Sequence, residues 1–224
     1  MQVGTTWGTW FFARKERLRT TWRFRVIALV GLVALGVLTR GWWIPGIGRG
    51  LACQERTSVA DAILVDDLDW DYLVYERAAR LYNAGLSKRV IVPFIAPGEA
   101  SGISVEERIV DVMIQAARLR NAEHVVVRAN EPISLNVAYQ VREFLAKQGI
   151  RSVTLVTPGF RSRRSFIVYQ TALNQVGVTV SCVPVFGPRT PEDWTSSWHG
   201  IQEVVLQFVK LQYYRFYVLP FLAS

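Results

Sequence analysis

The sequence predicts an α/β domain with a doubly wound, mainly parallel sheet, preceded by one N-terminal transmembrane helix. Three observations predict it. From residue 60 onward, short β-branched apolar runs alternate with helical patterns. Those runs are continuously β-branched in character, as suits strands of a parallel sheet covered on both faces. One apolar stretch, Val26 to Leu38, follows directly on a basic segment. The chain has 224 residues, 50% hydrophobic and 20% charged, which is enough to bury a core. That composition excludes a disordered chain, a collagen-like chain and a disulfide scaffold.

Residues 1–21 form a basic, aromatic arm. Of the 26 basic residues, six lie between Arg14 and Arg25, against one acid, Glu16. A net charge of +8 that is concentrated beside an apolar run reads as membrane topology rather than as a nucleic-acid face. Val26–Leu38 alone is short for a bilayer core of about 30 Å, and a signal peptide has the same outline. Trp22 and Phe24 before it, and Trp42 and Trp43 after it, suit the two interfaces of a retained span, with Arg25 and Arg40 snorkelling outward. A helix over 22–43 would extend about 33 Å at 1.5 Å per residue. The positive-inside rule places the N-terminus in the cytoplasm and the main domain in the periplasm of a bacterial inner membrane. Trp7, Trp10 and Phe11 anchor the arm on the cytoplasmic leaflet or pack it on another membrane protein.

Residues 44–58, with glycines and Pro45, read as a linker. Strands are expected over Ala60–Val65, Arg89–Ile95, Glu123–Arg128, Ser152–Thr157 and Val178–Val183, with helices near 71–84, 104–121, 134–149 and 161–176. The tail from Trp194 to Phe221 reads as one long amphipathic helix ending in Tyr213, Tyr214, Phe216, Tyr217 and Phe221. It packs back on the sheet, or else docks on a membrane or a partner. Trp22, Trp42, Trp43, Tyr213, Tyr214 and Tyr217 are the contact residues that this reading selects.

The remaining residue types narrow the chemistry. Cys53 and Cys182 offer neither a zinc cluster nor a CxxC redox pair, and an oxidising compartment permits a disulfide between them without requiring one. His124 and His199 lack metal-spaced partners, and the span holds no histidine to ligate chlorophyll or haem. His124 sits in a strand pattern and reads as a core residue, so Ser134 has no base for nucleophilic chemistry.

Several segments, in order, resemble the SanA/ElyC/YdcF family of bacterial envelope proteins. They are Ala60–Val65, Tyr75–Gly85 with its Arg-x-x-Arg-Leu-Tyr pattern, Ser134-Leu135-Asn136, Val156-Thr157 followed by Arg164, and the closing run with Trp198, Glu203, Lys210, Leu211 and Tyr214. The resemblance implies a Rossmann-like sheet whose polar motifs gather at the C-terminal strand ends. It also implies a role in envelope integrity or in peptidoglycan and lipid-carrier metabolism. The chain departs from the family where chemistry would lie. The glycine-rich phosphate turn is replaced by Asp66-Asp67-Leu68-Asp69-Trp70-Asp71, and the Ser-Gly-Gly turn by Pro93–Gly98. The expected Thr, Glu and Asn are Val137, Tyr139 and Gln140, and the expected His is Arg161, which cannot act as a base.

Two readings follow. In the first, the chain is a non-catalytic, membrane-anchored accessory subunit, a pseudoenzyme without a cofactor that stabilises a larger membrane complex such as a photosynthetic or respiratory one. In the second, it is an envelope enzyme acting on a phosphorylated cell-wall or lipid-linked precursor. Arg77, Ser134, Asn136 and Arg164 would then bind substrate, and Asp67, Asp69 and Asp71 would hold Mg²⁺. Pairing of the acidic turn with Arg161, Arg163 and Arg164 is the competing use of those carboxylates.

Overall fold

The computed structural model describes residues 21–66, 71–95 and 105–223. The chain divides into two units, Met1–Gly41 and Trp42–Ser224. In the first, α1 (Trp22–Leu38) is capped by Thr21, whose hydroxyl accepts from the Phe24 amide at 3.4 Å. It buries no residue. Its end differs from the expected span over 22–43. The Thr39 hydroxyl donates back to the Leu35 carbonyl at 2.7 Å beside the Thr39 amide at 2.9 Å, and α1 ends at Leu38. Among the described residues no single helix is long and apolar enough to cross a membrane, and α1 and α2 (Arg40–Leu51) meet that test only as a pair.

The second unit begins inside α2, and about half of the expected linker over 44–58, up to Leu51, is helical. Glycine and proline content argues against a helix there, but tertiary packing overrides it. Leu51 is buried, the Trp194 indole donates to the Ile44 carbonyl at 2.9 Å, and Arg49 pairs with Glu192 at 2.7 Å. Gly48 makes the approach possible, since a Cβ there would lie 2.7 Å from the Pro191 Cα. Cys53, just beyond α2, forms a disulfide with Cys182 across 129 residues of chain.

Five parallel strands follow in the sheet order β3-β2-β1-β4-β5. They are β1 (Ala62–Val65), β2 (Val90–Ile95), β3 (Ala122–Val127), β4 (Ser152–Pro158) and β5 (Thr179–Val185). Between them run α3 (Tyr72–Asn83), α4 (Val105–Ala116), α5 (Ile133–Lys147) and α6 (Ser162–Asn174). The fold is a Rossmann-like α/β domain. All four residues of β1 are buried, and alternate ones feed opposite layers. Ile63 and Val65 pack with Val74, Tyr75 and Ala78 of α3, while Ala62 and Leu64 pack with Val141 of α5 and Val168 and Leu173 of α6. His124 differs from expectation. On edge strand β3 it is only partly buried, with its Nε2 3.4 Å from Asp111 and its ring edge-on to Phe94.

The expected tail helix starts later, at Trp198, and runs without a break through a change of pitch. A 3₁₀ turn at Trp194–Ser196 precedes α7 (Trp198–Tyr213), which continues through a π turn (Tyr214–Val218) into α8 (Leu219–Leu222). Ser197 caps α7 by accepting from the Gly200 amide at 3.1 Å. A Cβ on Gly200 would lie 2.1 Å from the Trp194 carbonyl oxygen, so only glycine allows this close turn.

At the start of β2, Arg89 donates twice to Glu123 of β3, at 2.7 and 2.8 Å. These bonds hold the Glu123 carboxyl below its ordinary pKa. A depressed carboxyl adds stability above its unfolded pKa and loses it as pH falls through the folded one. Glu123→Gln therefore lowers stability at pH 7 by less than about 1 kcal/mol, the pair being partly exposed. The difference from the wild type closes in acid, below about pH 4. Urea unfolding at both pH values checks this; a gap that persists in acid contradicts it.

Candidate functional site

The strand order reverses between β1 and β4, because the chain builds outward through β2 and β3 before returning to β4. In open α/β sheets that reversal leaves a crevice at the carboxyl strand ends, where ligands bind. Here the crevice holds protein side chains. Asp66, the first residue beyond β1, is buried, and its amide donates to the Val156 carbonyl at 2.9 Å. The Thr157 hydroxyl donates to its carboxylate at 3.2 Å. Buried Arg161 donates to the Asp66 carbonyl at 2.6 Å and lies 3.8 Å from Oδ2. Tyr169 of α6 closes the group from below. Burial first, and the Asp66 carboxylate second, push its phenol well above its ordinary pKa.

Beside this network lies a cleft of about 380 Å³. Among the described residues it is lined by Glu131, Ser134, Arg161, Arg164, Lys210 and Tyr213, with Ile95, Ile133 and Tyr214. Arg164 Nη1 donates to the Ser134 hydroxyl at 2.7 Å, and its guanidinium lies 5.3 Å from the centre of the Tyr214 ring. The Ser134 amide donates to the Tyr214 hydroxyl at 3.2 Å. Tyr214, expected at a partner or membrane surface, is thus a buried brace between α5 and the π turn.

Ser134 and Arg164 are brought together, but Arg77 and Asn136 do not line their cleft. Arg77 pairs with Glu55 at 2.7 Å in a smaller cleft, of about 260 Å³, with Arg80 and Phe186. The Asn136 amide donates to the Asn130 carbonyl at 3.1 Å, closing the loop after β3. Asp71 caps α3, accepting from the Leu73 amide at 3.0 Å. Asp67 and Asp69 lie outside the described residues, as do Trp7, Trp10 and Phe11. Among the described residues no three His, Cys, Asp or Glu side chains stand together as metal ligands. Trp22, Trp42, Trp43, Tyr213 and Tyr217 are exposed. Of the arginines expected to pair with the acidic turn, Arg161 reaches Asp66, whereas Arg163 is exposed. Sequence reasoning passed over Asp66, Thr157 and Tyr169 as a group. The available signal was positional, since Asp66 and Thr157 end the two strands that flank the reversal.

No family model and no curated protein matches the chain. Among solved structures it is similar to a protein from the universal stress protein family of Burkholderia pseudomallei. The identity is 14% and the TM-score 0.33, over 58% of this chain and 100% of that one. A likeness at that score carries no argument about this chain.

Proposed function

We propose that this chain is a non-catalytic, membrane-anchored accessory subunit that binds and stabilises a larger membrane protein complex. One observation carries the reading: at the crevice where ligands of such sheets bind stands the buried Asp66–Arg161 pair, with Thr157 and Tyr169 around it. An ion pair there satisfies charges that an open site would offer to a ligand. The anchor is α1, which buries none of its apolar residues and passes a length-and-composition test for a span only together with α2, across a bend of 68°. The N-terminus is then cytoplasmic and the α/β domain periplasmic, where the Cys53–Cys182 disulfide is at home. The test is solubilisation of native membranes in mild detergent, then a native gel and mass spectrometry. Comigration with a large membrane complex at fixed stoichiometry is expected. Migration at the chain's own mass overturns the reading.

A second reading, an envelope enzyme acting on a phosphorylated precursor, is favoured by the cleft where Ser134, Arg164 and Lys210 meet. It requires saturable Mg²⁺ binding that Asp67→Ala and Asp69→Ala abolish. Calorimetry showing no Mg²⁺ binding at millimolar concentration would count against it.

A further inference from the structure

From Trp198 to Leu222 the chain is helical without a break, a rod of about 37 Å. One stripe, formed by Gly200, Val204, Leu211, Tyr214 and Val218, is buried against the domain. A surface helix ordinarily sets charged residues on the opposite side. Here that side carries Val205, Leu206, Val209, Tyr213, Tyr217 and Phe221, each between 48% and 70% exposed. Tyr213, Tyr217 and Phe221 form a ladder with ring centres 5.5 and 6.0 Å apart. The helix holds one acid, Glu203, which is turned to Arg189 at 3.6 Å. The charged residues at its exposed positions are Lys210 and Arg215, both cationic.

We propose that this face lies in the headgroup layer of an anionic phospholipid bilayer, with Tyr213, Tyr217 and Phe221 at the acyl boundary and Lys210 beside them meeting lipid phosphates. The inference rests on the anchored reading above and adds a second, peripheral contact to it. Aromatic residues with a cation beside them, on a helix whose single acid is turned to Arg189, are the chemistry of an interfacial helix. Continuity within the domain points the same way. Ile44 and Leu51 of α2, which follows the proposed anchor, pack in one cluster with Trp194, Val204 and Leu211. α2 thus holds α7 by its buried stripe and leaves the apolar face turned outward, and α2 itself exposes Trp42 and Trp43.

The test places a photoreactive benzoylphenylalanine at Val209 or Tyr217 of the full chain, with exposed Lys147 of α5 as the control. Native membranes are irradiated and the adducts weighed. Adducts of phospholipid mass, several-fold more abundant at Val209 and Tyr217 than at Lys147, are expected. Protein adducts alone mean a partner covers the face and overturn the inference, and yields no higher than the control overturn it too. Alkaline carbonate extraction of the same membranes separates the two readings. Release of the chain defeats the anchor whatever the adducts show; retention without lipid adducts defeats only this inference.

Discussion

Cys53→Ala with Cys182→Ala lowers the unfolding free energy of the α/β domain by about 2–5 kcal/mol. The disulfide closes a loop of 129 residues that takes in four of the five strands, so its absence frees a large part of the unfolded ensemble. Both cysteines are buried, and alanine leaves no unsatisfied polar group in their place. The bond also ties the segment after α2 to β5, where the Cys53 amide donates to the Ser162 hydroxyl at 2.9 Å and the Arg56 amide to the Cys182 carbonyl at 2.9 Å. Local opening at residues 52–58 should therefore accompany the global loss. Denaturant unfolding with and without a thiol reductant reads both effects. Coincident midpoints for the wild type in the two conditions, matching the double variant, would contradict the pairing.

Arg161→Met lowers stability by about 3–5 kcal/mol, because it leaves the Asp66 carboxylate buried beside the Tyr169 phenol without its counter-charge. Asp66→Val removes the other half of the pair, with a loss of the same order. Replacing both restores most of the stability, since a buried pair exchanged for apolar residues is often close to neutral. This double-mutant cycle separates a protein-filled crevice from an open one. Coupling of several kcal/mol marks a structural pair. Additive, small effects would mean that Arg161 serves a bound molecule instead.

The sheet was legible because its central strands are buried on both faces, which writes Ala62–Val65 as a continuous apolar run and Val153–Val156 as a β-branched one. The helices between them were equally plain, with caps such as Asp71 and stops at Gly85 and Gly149 in left-handed conformation. α2 was not legible. Its glycines read as a linker, and its helix exists because Gly48 lets it press on Pro191 and because Leu51 and Trp194 are buried together. The break at Thr39 was equally hidden, since a threonine at the end of an apolar run gives no sign of which carbonyl it will take. At the site, Ser134 and Arg164 were selected by resemblance and do meet. Arg77 was selected the same way and faces Glu55 instead, because α3 leads away from the cleft that α5 and α6 share. Tyr214 read as one more surface aromatic, and only the π turn reveals it as buried. Pairing across the sheet, as between Asp66 and Arg161, depends on strand order, which local sequence does not carry.

The central claim is that the domain works as a bound subunit and not through chemistry at its strand edge. Its most direct test is comigration on a native gel, measured for the wild type and for Ser134→Ala and Lys210→Gln chains expressed in its place. The account predicts that all three are found in one large membrane complex at equal stoichiometry. A wild-type chain that migrates at its own mass would contradict it.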